Sequence, residues 1–210
     1  MNGQFEQDMA FGLASPASQA SCELGASIQR PNGRVVDVQL IQLGREEARI
    51  RLAVPLTIGE IITLQVLDGG EVAWDCAGEV HWQGESQREV EVGLYLSREV
   101  PEDFLLWPLW DKREQLRFPV HLHGQIWWDG DRESHPVVVT NYSSSGMGLQ
   151  AQQSGRVGAE AQVYVQHPGV PPIVVRGTAC WQVAHSEGYL IGCELPEFQG
   201  RRFSGTCLYS

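Results

Sequence analysis

Two groups of residues in the second half of the chain have the types and spacing to hold an anion and a planar base. The first is the run Lys112-Arg113-Glu114-Gln115-Leu116-Arg117, which sets two guanidinium groups four residues apart. The second is Asn141-Tyr142-Ser143-Ser144-Ser145-Gly146-Met147-Gly148. A guanidinium fork can pair with a phosphate, stack on a base face, or meet guanine O6 and N7 with two parallel hydrogen bonds. Asn141 offers a donor and an acceptor, the Ser143 hydroxyl does both through one oxygen, and such groups can read a base edge. Gly146 permits a positive φ or a close approach of ligand to backbone. Taken singly, the basic run reads as a solvated linker and the Asn-Tyr-Ser-Ser-Ser-Gly stretch as a turn. Taken together they read as one binding site.

Strands must position these residues. VVDVQLIQL, ARIRLAV, EIITLQVL, CAGEVHW and VEVGLYL in the first half are short, rich in Val, Ile and Leu, and separated by turn residues. VHLHGQIWW, HPVVVTNY, GMGLQAQ, AQVYVQH, IVVRGTACW and YLIGCEL repeat the pattern in the second half. Ile62, Leu64 and Val66 share one strand face, as do Val163 and Val165. Short alternating runs at close intervals indicate an all-β barrel or sandwich. Helical periodicity is nearly absent, with room for a short helix only around residues 103–110 and in the C-terminal tail.

The halves are related. A shift of 99 residues lays Gly59 on Gly158, Gly78 on Gly177, Trp82 on Trp181, Gln83 on Gln182, Gly93 on Gly192 and Leu96 on Leu195, without a gap. A tryptophan matched together with these three glycines makes chance a poor explanation, so the chain reads as two copies of one domain. Both aligned tryptophans are expected in the core, because the first copy keeps its Trp without the motif. Of Trp127 and Trp128, on opposite strand faces, one is expected to be exposed.

The pattern Arg-x-x-x-Arg followed by Asn-x-Ser-x-x-Gly resembles the signature of the PilZ domain family. The segments around Gly158, Ala179-Cys180-Trp181 and Ile191-Gly192-Cys193 also sit where that family's strands fall. The resemblance implies a six-stranded β-barrel that binds cyclic di-GMP, a bacterial second messenger, without catalysis. It implies that Arg113 and Arg117 clamp phosphates and guanines, that Asn141 and Ser143 hydrogen-bond guanine, and that Gly146 gives room. Lys112 and Gly148 are secondary candidates. The expected organisation is a lead-in over residues 1–24, a degenerate PilZ-like barrel over 25–104, a linker carrying the arginine motif over 105–117, and a PilZ domain over 118–210. In the first copy the motif positions hold Gln42, Gly44 and Glu47, and its arginine positions hold Ala14 and Ser18. That copy, similar to the β-domain preceding the binding domain of flagellar brake proteins, is expected not to bind the ligand. Arginines so close to the joint imply that a bound ligand would reorient the barrels. The alternative is a PilZ-like adaptor that has lost ligand binding and acts through protein contacts alone.

Charge and the remaining residues narrow the classes further. Net charge is −11, which argues against a general nucleic-acid binder, so DNA is not an expected partner. The excess is uneven. Residues 1–111 hold seven arginines against 18 carboxylates, whereas residues 112–210 hold eight basic against eight acidic side chains. The acidic first barrel is therefore the expected face for a protein partner. No apolar run reaches membrane-spanning length, so no membrane insertion is expected. The N-terminus lacks a basic n-region, and the five cysteines show no metal-ligand spacing, which points to reduced thiols and a cytoplasmic protein. The sequon at Asn141 and the terminal Cys207-Leu-Tyr-Ser have no supporting context and are set aside. His121 and His123 share a strand face but lack a third ligand, so no metal is expected. No hydrolase elbow or zinc-protease motif occurs, and no catalytic residues are assigned.

Overall fold

Period-two alternation decides which side of each strand faces inward. In β4 (Ile61–Asp68), Ile62, Leu64 and Val66 are buried and none of their neighbours is. The computed structural model describes residues 25–86, 89–106, 115–168, 171–196 and 198–206. It forms two closed six-stranded antiparallel barrels in tandem. The first contains β1 (Gly25–Gln29), β2 (Val35–Leu43), β3 (Glu47–Leu52), β4, β5 (Glu71–Ser86) and β6 (Glu89–Leu96), closed in the order β1-β2-β3-β6-β5-β4. The second contains β7 (Phe118–Trp128), β8 (His135–Ser143), β9 (Gly146–Ala151), β10 (Glu160–Val165), β11 (Ile173–His185) and β12 (Gly188–Glu194), closed in the equivalent order β7-β8-β9-β12-β11-β10. The short helices are single 3₁₀ turns, Glu102–Leu106 near the joint and Gln199–Phe203 after β12. Phe203 from the second turn is fully buried against Tyr142, with ring centroids 5.4 Å apart.

The 99-residue offset holds at the level of individual hydrogen bonds. Gly59 N–H donates to Val80 O and Gly158 N–H to Ala179 O, both at 2.7 Å, and both glycines have positive φ. Leu96 N–H donates to Glu46 O as Leu195 N–H does to Ser145 O. Irregularities in the ladders coincide too. The β5–β6 pairing shifts between Val80 and Trp82, and the β11–β12 pairing between Ala179 and Trp181. The β2–β3 pairing shifts between Leu40 and Gln42, and the β8–β9 pairing between Val139 and Asn141. Such bulges bend a strand and move the residues beyond them to the other face.

The barrels meet through a buried aromatic and polar cluster. His81 stacks on Tyr95 at 3.6 Å and meets the Phe118 ring edge-on at 4.4 Å. The Tyr142 hydroxyl hydrogen-bonds His81 Nδ1 at 3.1 Å. Trp82 Nε1–H donates to Pro119 O at 2.8 Å, and Gly205 N–H donates to His81 O at 3.0 Å. The Arg201 guanidinium lies 4.5 Å from the Tyr95 ring centre. Trp82 accordingly belongs to the apolar cluster of the second barrel rather than that of the first.

Candidate functional site

The bulge in β8 places the motif. Val137 and Val139 face the core; beyond the bulge the phase reverses, so Tyr142 turns inward and Asn141 and Ser143 share the outer face. Asn141 lies over Gly148, where a Cβ would come within 2.4 Å of its Nδ2. Gly148 is thus required by the packing of Asn141 itself. Asn141 Nδ2 donates to Thr140 Oγ1, and Oδ1 is buried with no partner among the described residues. A buried acceptor left open is costly, and a donor that reached it would relieve the cost. Gly146 does not have a positive φ, which corrects one of the two roles expected of it. A Cβ there would make only ordinary contact, at 3.4 Å, with Ser143 Oγ and Cys193 O.

Arg117 is exposed beside this face. It lines an open cavity of about 370 Å³ together with Ser143, Gly146, Trp181 and Gly192. Lys112 and Arg113 fall outside the described residues. Gln115, a residue inside the arginine motif whose spacing carries no signal of its own, forms one wall. Its Oε1 accepts from Ser143 Oγ at 3.1 Å, Ser145 N–H at 2.9 Å and Ser145 Oγ at 2.7 Å. A ligand acceptor that uses the Ser143 hydroxyl must displace this carboxamide.

Trp181 corrects the expectation of a core residue. The β11 bulge inserts Cys180 after buried Ala179 and turns the indole outward, leaving it 41% exposed. It packs against Gly192, where a Cβ would sit 2.1 Å from the ring. The equivalent pair in the first barrel, Trp82 opposite Gly93, places its indole against Gly84 instead, so a glycine opposite a tryptophan does not by itself mark an outward ring. The expectation of one exposed tryptophan in the 127–128 pair resolves as Trp128 buried and Trp127 half-buried. Larger depressions exist on the second barrel. One of about 560 Å³ beside Trp127 is rimmed by three carboxylates, Asp129, Asp131 and Glu160, against the single Glu194 of the Arg117 cavity, and its Arg176 is engaged by Gln162. One of about 930 Å³ contains His121 and His123; among the described residues no group of three potential metal ligands forms there or elsewhere.

Two groups at the joint, Glu47 and His81, are shifted in opposite directions. Burial pushes the Glu47 carboxyl up to about 7, although the Leu116 N–H donates to its Oε2 at 2.7 Å and Arg201 is nearby. Burial, reinforced by Arg201, pushes His81 down to about 3. Their contributions to stability have opposite signs. That of Glu47 is complete below its ordinary value of 4.5 and lost as pH rises through about 7. That of His81 is complete above 6.5 and lost as pH falls toward about 3. Between pH 4.5 and 6.5 the unfolded chain carries a proton on His81 and the folded chain carries one on Glu47, so the pair cancels. Glu47→Gln is therefore expected to lose stability relative to wild type as pH falls through this window, with a slope approaching one proton, about 1.4 kcal/mol per pH unit. Urea melts across the window read this directly, and parallel profiles would refute it.

Residues 111–202 match the PilZ domain family. Among solved structures the chain is similar to the Bacillus subtilis inhibitor of motility (MotI/DgrA), at 13% identity over 84% of this chain and 88% of that one, with a TM-score of 0.35. It is similar to MrkH of K. pneumonia in its apo state, at 13% identity over 86% and 82%, with a TM-score of 0.38. It is also similar to YcgR from Escherichia coli in complex with c-di-GMP, at 11% identity over 82% and 76%, with a TM-score of 0.32. No curated protein sequence matches the chain.

Proposed function

We propose, from the premise that the second barrel is a PilZ domain, that this chain is a non-enzymatic receptor for cyclic di-GMP. The observation that carries the reading is the convergence of Arg117, Ser143, Gly146 and Trp181 on one cavity of that domain. Arg117, with Arg113 and Lys112 just upstream, supplies charge and planar forks for phosphates and guanines. Asn141, beside the cavity rather than in its lining, contributes a buried, unpaired Oδ1 that a guanine N–H donor satisfies once the ligand uncovers it, and Ser143 exchanges Gln115 for a ligand atom. The indole of Trp181 provides a flat face for one base. Isothermal titration of the whole chain with cyclic di-GMP tests the reading, and no heat at high ligand concentration would end it.

The Trp181 assignment makes its own prediction. Stacking of a base on an aromatic ring is worth about 1–3 kcal/mol, so Trp181→Ala is expected to weaken binding by about ten- to hundredfold. An exposed side chain supports the fold little, so the melting temperature should stay within about 2 °C of wild type. Unchanged affinity would remove Trp181 from the site.

The proposed output is a protein contact, through the acidic first barrel, or a change in the angle between the barrels, which small-angle scattering with and without ligand measures. The expectation against DNA as a partner rests on net charge alone. One observation favours the adaptor reading: Gln115 already satisfies the hydroxyls of Ser143 and Ser145. The same titration separates the two, because an adaptor shows no binding.

A further inference from the structure

The 99-residue offset has a second meaning once the barrels are seen together. It lays Glu47 on Gly146, Gly44 on Ser143, His81 on Cys180, Trp82 on Trp181 and Gly93 on Gly192. The right-hand members of these pairs line the cavity of the second barrel. The left-hand members form the surface on which the second barrel docks. Leu116 covers Gly44, where a Cβ would meet its Cγ at 3.1 Å, and Phe118 covers Gly93, where a Cβ would meet its ring at 2.5 Å. The first barrel has kept the face and changed its occupant.

The segment from Gln115 to Phe118 is consequently strung between the barrels. Gln115 is tied to Ser143 and Ser145 of the second barrel. Leu116 is tied by its backbone N–H to the Glu47 carboxylate of the first, at 2.7 Å. Arg117 follows directly on these two anchors and is exposed, and Phe118 after it returns to the interface. Building on the receptor reading above, we infer that Glu47 is a positioning residue for the ligand site: its carboxylate holds the Leu116 amide and so sets where the Arg117 guanidinium stands.

A carboxylate is an expensive group to bury at a joint, and an apolar side chain would pack there at less cost. What it adds is acceptor capacity. Leu116 N–H and, more weakly, Ser144 N–H stabilise its charged form, so one side chain touches both the arginine segment and the β8–β9 turn. The groups facing it are Arg201, which favours the carboxylate, and Glu46, which opposes it. Tyr95 is also close, its phenol pushed above its ordinary value by burial and by Glu47 itself. His81, with its proton affinity lowered by burial, stays neutral and leaves Glu47 to titrate alone near neutrality.

The test uses the full chain and two readouts. Without ligand, the Leu116 amide proton resonance is followed by NMR from pH 5.5 to 8.5. It should move with a midpoint near 7 in wild type and show no such step in Glu47→Gln. With ligand, Glu47→Ala is expected to weaken cyclic di-GMP binding by about tenfold, the loss of one hydrogen bond to a charged group, while Glu47→Gln, which keeps an acceptor oxygen, stays within about threefold of wild type. In an Arg117→Ala background the Glu47→Ala loss should vanish, because the residue being positioned is gone. A Leu116 resonance that titrates identically in wild type and Glu47→Gln would overturn the clamp. An undiminished Glu47→Ala effect in the Arg117→Ala background would overturn its link to Arg117. A wild-type chain that fails to bind cyclic di-GMP overturns the receptor reading and the positioning role with it; the amide titration then still decides whether the clamp exists.

Discussion

Arg117→Ala should weaken cyclic di-GMP binding by about ten- to hundredfold, and Arg113→Ala combined with Arg117→Ala should bring it below detection. A bidentate, charge-assisted contact to guanine or phosphate is worth about 1–3 kcal/mol, and 1.4 kcal/mol is a factor of ten. Two such groups on one compact dianion act together, so their joint loss removes most of the favourable charge at the site. The fold should not register the change. Arg117 is exposed and makes no ion pair among the described residues, so its removal leaves no buried partner stranded. Arg117→Lys keeps the charge and loses the planar fork, and should therefore bind between wild type and the alanine variant. Isothermal titration beside a circular-dichroism melt checks both halves. An alanine variant that binds as wild type would remove Arg117 from the site, and a variant that loses binding together with its melt would indicate damage to the barrel instead.

The limits of the sequence lie at four bulges and one interface. Alternation over Ile62, Leu64 and Val66, and over Val163 and Val165, predicts inward faces that the strands adopt. The 99-residue repeat predicts two like barrels, and the strand order is the same in both. The short β1, Gly25–Gln29, carries a Gly and a Ser among its five residues and has too little pattern to be picked out. A bulge inserts one residue and reverses the faces beyond it, and no residue type marks it. Alternation from Ala179 therefore places Trp181 inside, whereas Cys180 is the inserted residue and Trp181 lies outside. Trp82 follows the same path and is buried nonetheless, because Phe118 and Pro119 of the other barrel cover it. Identical residues at aligned positions thus meet different environments for a reason that resides in the other half of the chain. Glu47 has the same lesson. Read as a carboxylate where an anion would need donors, it marks the first copy as a non-binder; its partner, the Leu116 amide, is invisible at a separation of 69 residues. The motif itself is legible because its spacing is local, while Gln115, within it, acquires a role only through Ser143 and Ser145.

Phe118→Ala should strongly destabilise the joint. The ring is fully buried and lies 4.4 Å from His81, 5.7 Å from Trp82 and 5.8 Å from Tyr142, measured between centroids. Truncating a buried Phe costs about 3–5 kcal/mol, because contacts are lost and the surroundings close only in part. For a chain of this size each kcal/mol lowers the melting temperature by about 2–4 °C, so a fall of roughly 10 °C is expected. The residue also joins two cores, and its loss should let the barrels unfold separately, turning one calorimetric transition into two. Gly93→Ala approaches the same contact from the other side, placing a methyl 2.5 Å from the Phe118 ring, and should destabilise by overpacking. In the double variant the added methyl partly fills the space that the ring vacates. The two losses should therefore sum to more than the double variant suffers, whereas independent sites would add. A melt of Phe118→Ala within 2 °C of wild type, or strict additivity with Gly93→Ala, would mean that the barrels are held by something other than this ring.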